Sequence, residues 1–216
     1  VHALTWMSPP FRDLLDRRIR PWRSDNRYLR YAVGIPIDEI REAHALAERD
    51  LLQEIERRGG TLDADVFTIR FARRAPAYQR ADLVFGDVDR LARIAESVGP
   101  IQMVFGGKAH PRDAGGKELI KRIHEPARSL EGRVRVLYLE GYEMALAAKL
   151  VAGVDLWLNN PMKPLEASGT SGMKAALNGV PSLSVRDGWW IEGHVEGATG
   201  WSIGSDEWEG DQWPYA

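Results

Sequence analysis

The chain has 216 residues, 44% of them hydrophobic and 28% charged, which is ordinary for one globular α/β domain and excludes a disordered or fibrous protein. Its 29 basic and 31 acidic residues leave a formal net charge of −2, so no overall basic field attracts nucleic acid and any phosphate site has to be local. The sequence has no cysteine, which excludes disulfides, thiolate metal ligands and a cysteine nucleophile and suits a reducing compartment.

The amino-terminal part of the chain predicts a helical segment. The sequence opens at Val1 without an initiator methionine, in an apolar stretch with no polar lead-in, and we therefore expect a fragment of a longer protein. Pro36 begins the first long predicted helix, over residues 36–58, and Gly59-Gly60 ends it. Apolar or small side chains recur on one face of this helix, at Ile37, Ile40, Ala43, Ala47, Leu51 and Ile55.

From residue 60 onward, strand and helix patterns alternate with short connections. Strands are predicted at residues 64–71, 101–105, 133–139, 154–158 and 181–185. Helices are predicted at residues 79–97, 115–129, 142–150 and 170–178. The alternation predicts the α/β class, with a doubly wound, Rossmann-like parallel sheet that helices cover on both faces. We divide the chain into a helical segment, residues 1–59, and a Rossmann-like domain, residues 60–216.

The residues that follow the predicted strands are rich in charge, glycine and amide groups. In open parallel sheets, ligands bind outside the carboxyl ends of the strands, so these residues should share one crevice. They are Arg73-Arg74, Gly106-Gly107-Lys108, Glu140-Gly141-Tyr142 and Asn159-Asn160-Pro161.

A run of glycines and hydroxyls, SGTSG at residues 168–172, lies at the start of the last predicted helix. Glycine permits close backbone approach, and the amino end of a helix favours an anion, so the run is built like a phosphate cradle. It matches neither the P-loop nor the G-x-G-x-x-G spacing, which disfavours an ATPase or a simple NAD site. On these residues alone, an ordinary glycine-rich turn stays open as an alternative.

Lys174 follows the cradle inside the predicted helix, between Met173 and the apolar residues 175–177. A poorly solvated amine is a usable nucleophile toward an aldehyde, and the alternative is a solvated surface lysine. Pyridoxal phosphate carries an aldehyde and a phosphate, and their separation is about that between Lys174 and the cradle. The two features together therefore indicate this cofactor.

The segment EASGTSGMKAALNG, residues 166–179, resembles the pyridoxal-phosphate signature of the α-glucan (glycogen, starch and maltodextrin) phosphorylases. Further matches cover nearly the whole chain, at residues 1–6, 73–80, 107–111, 142, 159–161 and 187–193. The resemblance implies the carboxyl-terminal domain of a two-domain GT-B glycosyltransferase, linked through residues 1–59 to a missing amino-terminal domain. It also implies transfer of a terminal α-1,4-linked glucosyl unit to inorganic phosphate, which gives α-glucose 1-phosphate.

The resemblance assigns roles to individual residues. Lys174 matches the Schiff-base lysine of pyridoxal phosphate, and Arg74 matches the arginine that binds the substrate phosphate. The residues that match the cradle and walls of the cofactor are Arg73, Gly169, Thr170, Ser171, Tyr142 and Trp6. Those that match contacts to the glucosyl hydroxyls are Tyr78, Glu166, Ser168 and Gly169.

Gln79 departs from the family pattern, which has a lysine beside the arginine that corresponds to Arg74. A neutral amide donates a hydrogen bond but brings no charge, and the lost charge-assisted contact costs about 1.5–3 kcal/mol in phosphate binding. The departure weakens the case for phosphorolysis to that degree and leaves the case for cofactor binding intact.

Two alternative functions stay open. A nucleotide-sugar-dependent glycosyltransferase similar to glycogen or starch synthase shares the two-domain architecture, and there Lys174 would be incidental. A non-catalytic glucan-binding fragment is favoured by Gln79 and by the absent amino-terminal lobe, without which we expect an inactive fragment. A homodimer of the parent protein also stays open.

We expect no metal, membrane or nucleic-acid site. The histidines His44, His110, His124 and His194 are scattered without ligand spacing. No apolar run approaches the roughly 18 residues that span a bilayer, and no signal-peptide pattern opens the sequence, so we expect a cytoplasmic protein.

Overall fold

The structure, a computed structural model, describes residues 1–72, 80–107, 114–166 and 168–204. The helices are α1 (Ala3–Trp6), α2 (Pro9–Arg18), α3 (Ile37–Arg57), α4 (Val88–Val98), α5 (Ala114–Ser129), α6 (Met144–Leu150), α7 (Thr170–Ala176) and α8 (Trp190–Gly193). The strands are β1 (Phe67–Ala72), β2 (Ile101–Gly106), β3 (Arg135–Leu139), β4 (Leu156–Asn159), β5 (Ser182–Val185) and β6 (Gly200–Ile203). Short 3-10 helices lie at Arg20–Arg23, Asn26–Gly34 and Leu83–Phe85.

The strands form one sheet in the order β3-β2-β1-β4-β5-β6, and every pairing between the described strands is parallel. This is the doubly wound order, in which the sheet grows in one direction as far as β3 and in the other from β4 onward. The predicted α/β class and Rossmann-like parallel sheet are confirmed. The switch point lies between the paired strands β1 and β4, so the loops that follow these strands flank the expected ligand crevice.

Most predicted elements agree with the observed ones to within a few residues, and the start of β1 is the instructive exception. The strand begins at Phe67 rather than at residue 64. The buried Gln102 donates from Nε2 to the carbonyl oxygens of Asp63 and Val66, and its Oε1 accepts the Asp63 N–H. Residues 63–66 therefore bond to a side chain instead of a neighbouring strand.

Two other elements differ from the prediction. The single helix expected at residues 79–97 is divided into the 3-10 helix Leu83–Phe85 and α4, which begins after the capping residue Asp87. The Asp87 Oδ1 accepts the Arg90 N–H, a cap that lets α4 start in a new direction. The four-residue β6 was not predicted, and it completes the sheet beside β5.

Helices cover both faces of the sheet. On one face, α3 contributes Leu51 and Ile55 to a buried cluster that also holds Val104 of β2 and Trp157 of β4. On the other face, α4 and α5 pack with Phe105 over the sheet. The helix α3 thus packs directly on the sheet-bearing domain, and the division of the chain at residue 59 stays a prediction.

Within the described ranges, none of the helices combines the length and apolar character that crossing a membrane requires.

Candidate functional site

The loop before α7 is held by the loop between β5 and α8. The buried Asp187 accepts the Glu166 N–H at Oδ2 and the Gly188 N–H at Oδ1, both at 2.9 Å. The Trp189 N–H donates to the carbonyl oxygen of Ser168 at 2.8 Å. These bonds connect backbone to backbone or to a buried carboxylate, so the predicted cradle has a defined position next to α8.

Glycine is required at two positions of the cradle because neighbouring groups approach its backbone closely. Gly169 caps α7 with a φ of +78°, and a Cβ there would lie 3.2 Å from Glu166 Oε1. A Cβ on Gly172 would lie 2.9 Å from Nε1 of Trp189. The Trp189 indole therefore covers the first turn of α7, and it can do so only because residue 172 has no side chain.

The first turn of α7 offers groups that suit an anion. The first N–H groups of a helix have no acceptor inside the helix, and here they belong to Thr170 and Ser171. The Ser171 Oγ is buried and has no hydrogen-bond partner among the described residues. A buried hydroxyl of this kind needs a partner, and an anion such as a phosphate supplies an acceptor.

Lys174 lies with its Nζ 3.6 Å from the centroid of the Trp6 ring, a distance typical of a cation–π contact. Trp6 is the last residue of α1, so the amino-terminal residues of the chain reach the lysine of α7. Trp6 and Tyr142 also pack against the same buried cluster, which includes Ala175 next to Lys174. The structure thus brings three of the predicted cofactor residues, Lys174, Trp6 and Tyr142, to one part of the fold.

Arg70 is a residue of this region that sequence reasoning missed. Its guanidinium is fully buried on β1, lies 3.6 Å above the Trp157 ring and donates to Tyr142 Oη at 3.0 Å. An arginine inside a buried apolar strand must be compensated by partners, and that was the available signal. Arg70 therefore holds the hydroxyl of Tyr142, which is predicted to form part of the cofactor wall.

The loops after β1 and β4 meet at Arg80. The Arg80 guanidinium donates to the carbonyl oxygens of Asn160 and Pro161, and the Asn160 side chain donates to the Arg80 carbonyl. Burial lowers the pKa of Arg80 from its usual range. These reciprocal bonds support the predicted common crevice for these two strand ends.

Four of the predicted residues, Arg73, Arg74, Tyr78 and Gln79, lie outside the described residues, as do Lys108 and His110. Their approach to the cradle stays a prediction. Arg73, Arg74, Tyr78 and Gln79 belong to the segment between the end of β1 and Arg80. Both ends of that segment, β1 and Arg80, lie at the switch point.

A cavity of about 590 Å³ opens between the cradle loop and α8. Its lining includes Glu166, Ser168, Met173, Asp187, Trp189 and Glu192. Carboxylates accept hydrogen bonds from hydroxyls, so this lining suits a polyhydroxylated ligand. A second cavity of about 630 Å³ lies at the opposite ends of the strands, next to the amino ends of β2 and β3. Among the residues that the structure describes, none of the predicted site residues lines it.

Comparisons with known proteins all point to the same family. A family model described as carbohydrate phosphorylase matches residues 36–199. The chain is similar to a maltodextrin phosphorylase of Thermococcus litoralis, with 44% identity over 97% of the chain and 27% of the relative. It is also similar to a glycogen phosphorylase of Aquifex aeolicus, with 42% identity over 98% of the chain and 34% of the relative. A glycogen phosphorylase of Mycobacterium tuberculosis is 47% identical over 69% of the chain and 17% of the relative. The chain spans about a third or less of the length of each.

Proposed function

The chain belongs to the carbohydrate phosphorylase family, and on that premise we propose that it forms the cofactor-bearing part of an α-glucan phosphorylase. The proposed reaction transfers a terminal α-1,4-linked glucosyl unit to inorganic phosphate and gives α-glucose 1-phosphate. The names of the relatives, maltodextrin phosphorylase and glycogen phosphorylase, support an α-glucan as the substrate. The absence of cysteine is in keeping with a cytoplasmic location.

The observation that carries the proposal is Lys174, on α7 two residues beyond the glycine cradle, with its amine against Trp6. The described residues fit pyridoxal phosphate by their chemistry. The Ser171 Oγ, which has no partner among the described residues, and the first N–H groups of α7 suit the phosphate, and the Lys174 amine suits the aldehyde. Trp6 and Tyr142 supply apolar faces for an aromatic ring.

The residues of the chain then position and neutralise two phosphates rather than act as acid or base. When bound, the cofactor supplies a phosphate that exchanges a proton with the substrate phosphate. Arg73 is assigned to the cofactor phosphate and Arg74 to the substrate phosphate, where a guanidinium offers two parallel donors. Both charges must lie close together for the reaction, because positioning and electrostatic stabilisation lower its barrier.

Glu166, Ser168 and Gly169 are assigned to the glucosyl unit, together with Tyr78. Glu166 is buried beside the cavity, and its backbone N–H is held by Asp187. A preorganised carboxylate loses little freedom when it accepts hydroxyl hydrogen bonds, which favours a defined sugar orientation.

Cofactor capture tests the proposal. The purified chain is incubated with pyridoxal phosphate, reduced with borohydride and digested, and the labelled peptide is identified by mass spectrometry. We expect absorbance of bound cofactor and a label on Lys174, both lost in Lys174→Ala and kept in the control Lys149→Arg. Absence of both signals from the wild-type chain would exclude the proposed cofactor role.

Gln79 favours one alternative, a glucan-binding chain without turnover. Incubation with maltodextrin and phosphate, followed by an assay of glucose 1-phosphate, tests for turnover. We expect little or no product from these 216 residues alone, and formation of product would exclude this alternative. For the nucleotide-sugar alternative, thermal shift decides: we expect pyridoxal phosphate to raise the melting temperature and UDP-glucose or ADP-glucose to leave it unchanged.

A further inference from the structure

The side chain of Asn178 joins the amino terminus of the chain to the helix of Lys174. It is completely buried, and its Oδ1 accepts the Ser8 N–H at 2.7 Å. Its Nδ2 donates to the carbonyl oxygens of Trp6 and Lys174, each at 2.9 Å. One amide therefore bonds to the backbone on both sides of Met7, including the carbonyl of Trp6, and to the backbone of Lys174 itself.

Only an amide of this length satisfies all three groups. A carboxylate at residue 178 would place acceptor oxygens against two carbonyl oxygens, and an alkyl side chain would remove the hydrogen bond from each of three partly buried backbone groups. Since every partner of Asn178 is a backbone group, the contact does not depend on the side chains of Trp6, Ser8 or Lys174. It sets the separation between the backbones of α1 and α7.

That separation places the Trp6 indole under the Lys174 amine. The Nζ lies 3.6 Å from the ring centroid, and Trp6 and Lys174 are both partly exposed. The electrostatic attraction between an ammonium and an indole face falls away when the ring withdraws, so the contact depends on where the backbone of Trp6 is held.

We propose that Asn178 is a positioning residue, which holds Trp6 in place so that its indole serves as the resting site of the Lys174 amine in the cofactor-free protein. The first eight residues of the chain are then part of the lysine site rather than a connection to it. The role of this placement in cofactor capture rests on the proposed function. The placement itself can be measured without the cofactor.

Reductive methylation of the cofactor-free chain reads the placement directly. The initial rate at Lys174 is measured by peptide mass spectrometry relative to Lys121, which is exposed on α5. An amine on an indole face is shielded, so we expect Trp6→Leu to raise the rate ratio by about threefold or more and Trp6→Phe to raise it less. Leu4→Ala, in the same helix but on an exposed residue, is the control and should leave the ratio unchanged.

Ser8→Pro breaks the Asn178 contact at a position whose backbone dihedral angles tolerate proline, because the ring Cδ replaces the N–H and displaces Asn178 Oδ1. Ser8 has a φ of −65° and Met7 a ψ of 130°, which suit proline and the residue before it. The substitution removes the N–H that Asn178 accepts, and the Ser8 Oγ that it also removes has no partner among the described residues. We expect the Lys174 ratio to rise about twofold, since release of the segment lets the indole withdraw.

The outcomes separate the two parts of the inference. Equal rate ratios in wild type, Trp6→Phe and Trp6→Leu would overturn the resting site. An amine that rests on the indole should react faster as the ring is made smaller or removed. A wild-type ratio in folded Ser8→Pro would overturn the role of Asn178. Where Trp6→Leu does not fold, Trp6→Phe and Ser8→Pro decide. If the ratios change as expected while pyridoxal phosphate does not label Lys174, the proposed function fails and the placement stands.

Discussion

The guanidinium carbon of Arg70 lies 3.6 Å from the centroid of the Trp157 ring, and both side chains are buried. The two residues are direct neighbours on the paired strands β1 and β4. A charge in such a position costs free energy unless a ring face and hydrogen bonds compensate it. Arg70 thus places a buried cation at the switch point of the sheet, where it donates a hydrogen bond to Tyr142.

Tyr142→Phe should destabilise the fold, because it removes the oxygen that accepts from Arg70. We expect the free energy of unfolding to fall by about 1–3 kcal/mol, measured by urea denaturation. Tyr31→Phe is the matched control, since Tyr31 also accepts from an arginine that lies over its ring but is exposed. That change should stay within about 0.5 kcal/mol, and equal losses in both variants would contradict the view that burial decides.

Gly188→Ala should disrupt the clamp between the cradle loop and α8. Gly188 has a φ of +57°, and a Cβ there would lie 2.6 Å from the Ser168 carbonyl oxygen. Gly197 has a φ of +71° with nothing within 4 Å, so Gly197→Ala measures the backbone strain alone. We expect a loss of about 1–2 kcal/mol for residue 197 and clearly more for residue 188. Similar urea midpoints for Gly188→Ala and Gly197→Ala would show that the cradle loop can move away from the added Cβ at no cost in stability.

Asp16 should make stability depend on acid pH. A hydrogen bond from Arg23 and one from Trp22 lower the pKa of Asp16 to about 2, against a usual value of 3.8. A lowered pKa in the folded state adds stability that is present above about pH 4 and is lost as the pH falls toward 2. The difference in unfolding free energy between wild type and Asp16→Asn should therefore shrink over that range. In the Arg23→Met background the same difference should vary less with pH.

Glu48 should show the opposite sign. Burial is the main cause that raises its pKa above 4.5, and the neighbouring Asp155 raises it further while His44 lowers it. A raised pKa in the folded state means that ionised Glu48 destabilises the protein as the pH rises through that pKa. Glu48→Gln should be more stable than wild type at pH 7, with the gain lost below about pH 4.5. Glu42→Gln, on an exposed part of α3, should change stability little at either pH.

Gln79→Lys should strengthen phosphate binding if the proposed function holds. An added charge-assisted contact is expected to raise the affinity of the cofactor-loaded chain for inorganic phosphate by about 10- to 100-fold, measured by calorimetric titration. Gln53→Lys adds the same charge on an exposed part of α3 and should leave the affinity unchanged. An equal gain in both variants would mean that net charge, not the site, is responsible.

Local patterns were enough to predict much of the fold. The helix α3 was predicted to within a residue at each end, because its apolar face recurs at helical spacing and glycines follow it. The four-residue β6 escaped prediction, since its pairing with β5 rather than its own pattern makes it a strand. The glycine cradle and Lys174 could be singled out as a predicted site, because glycines and an anion-binding helix start are local features of the sequence.

The sequence by itself determined the fold class and the family and predicted the cradle on α7, because these follow from periodicity, turn residues and a contiguous motif. Only the tertiary structure decided what surrounds Lys174. Asn178 finds its partners Ser8 and Trp6 at separations of 170 and 172 residues, and Arg70 reaches Tyr142 across 72. No local pattern encodes such contacts, since they arise when the sheet brings distant backbone groups together and burial obliges each polar atom to find a partner.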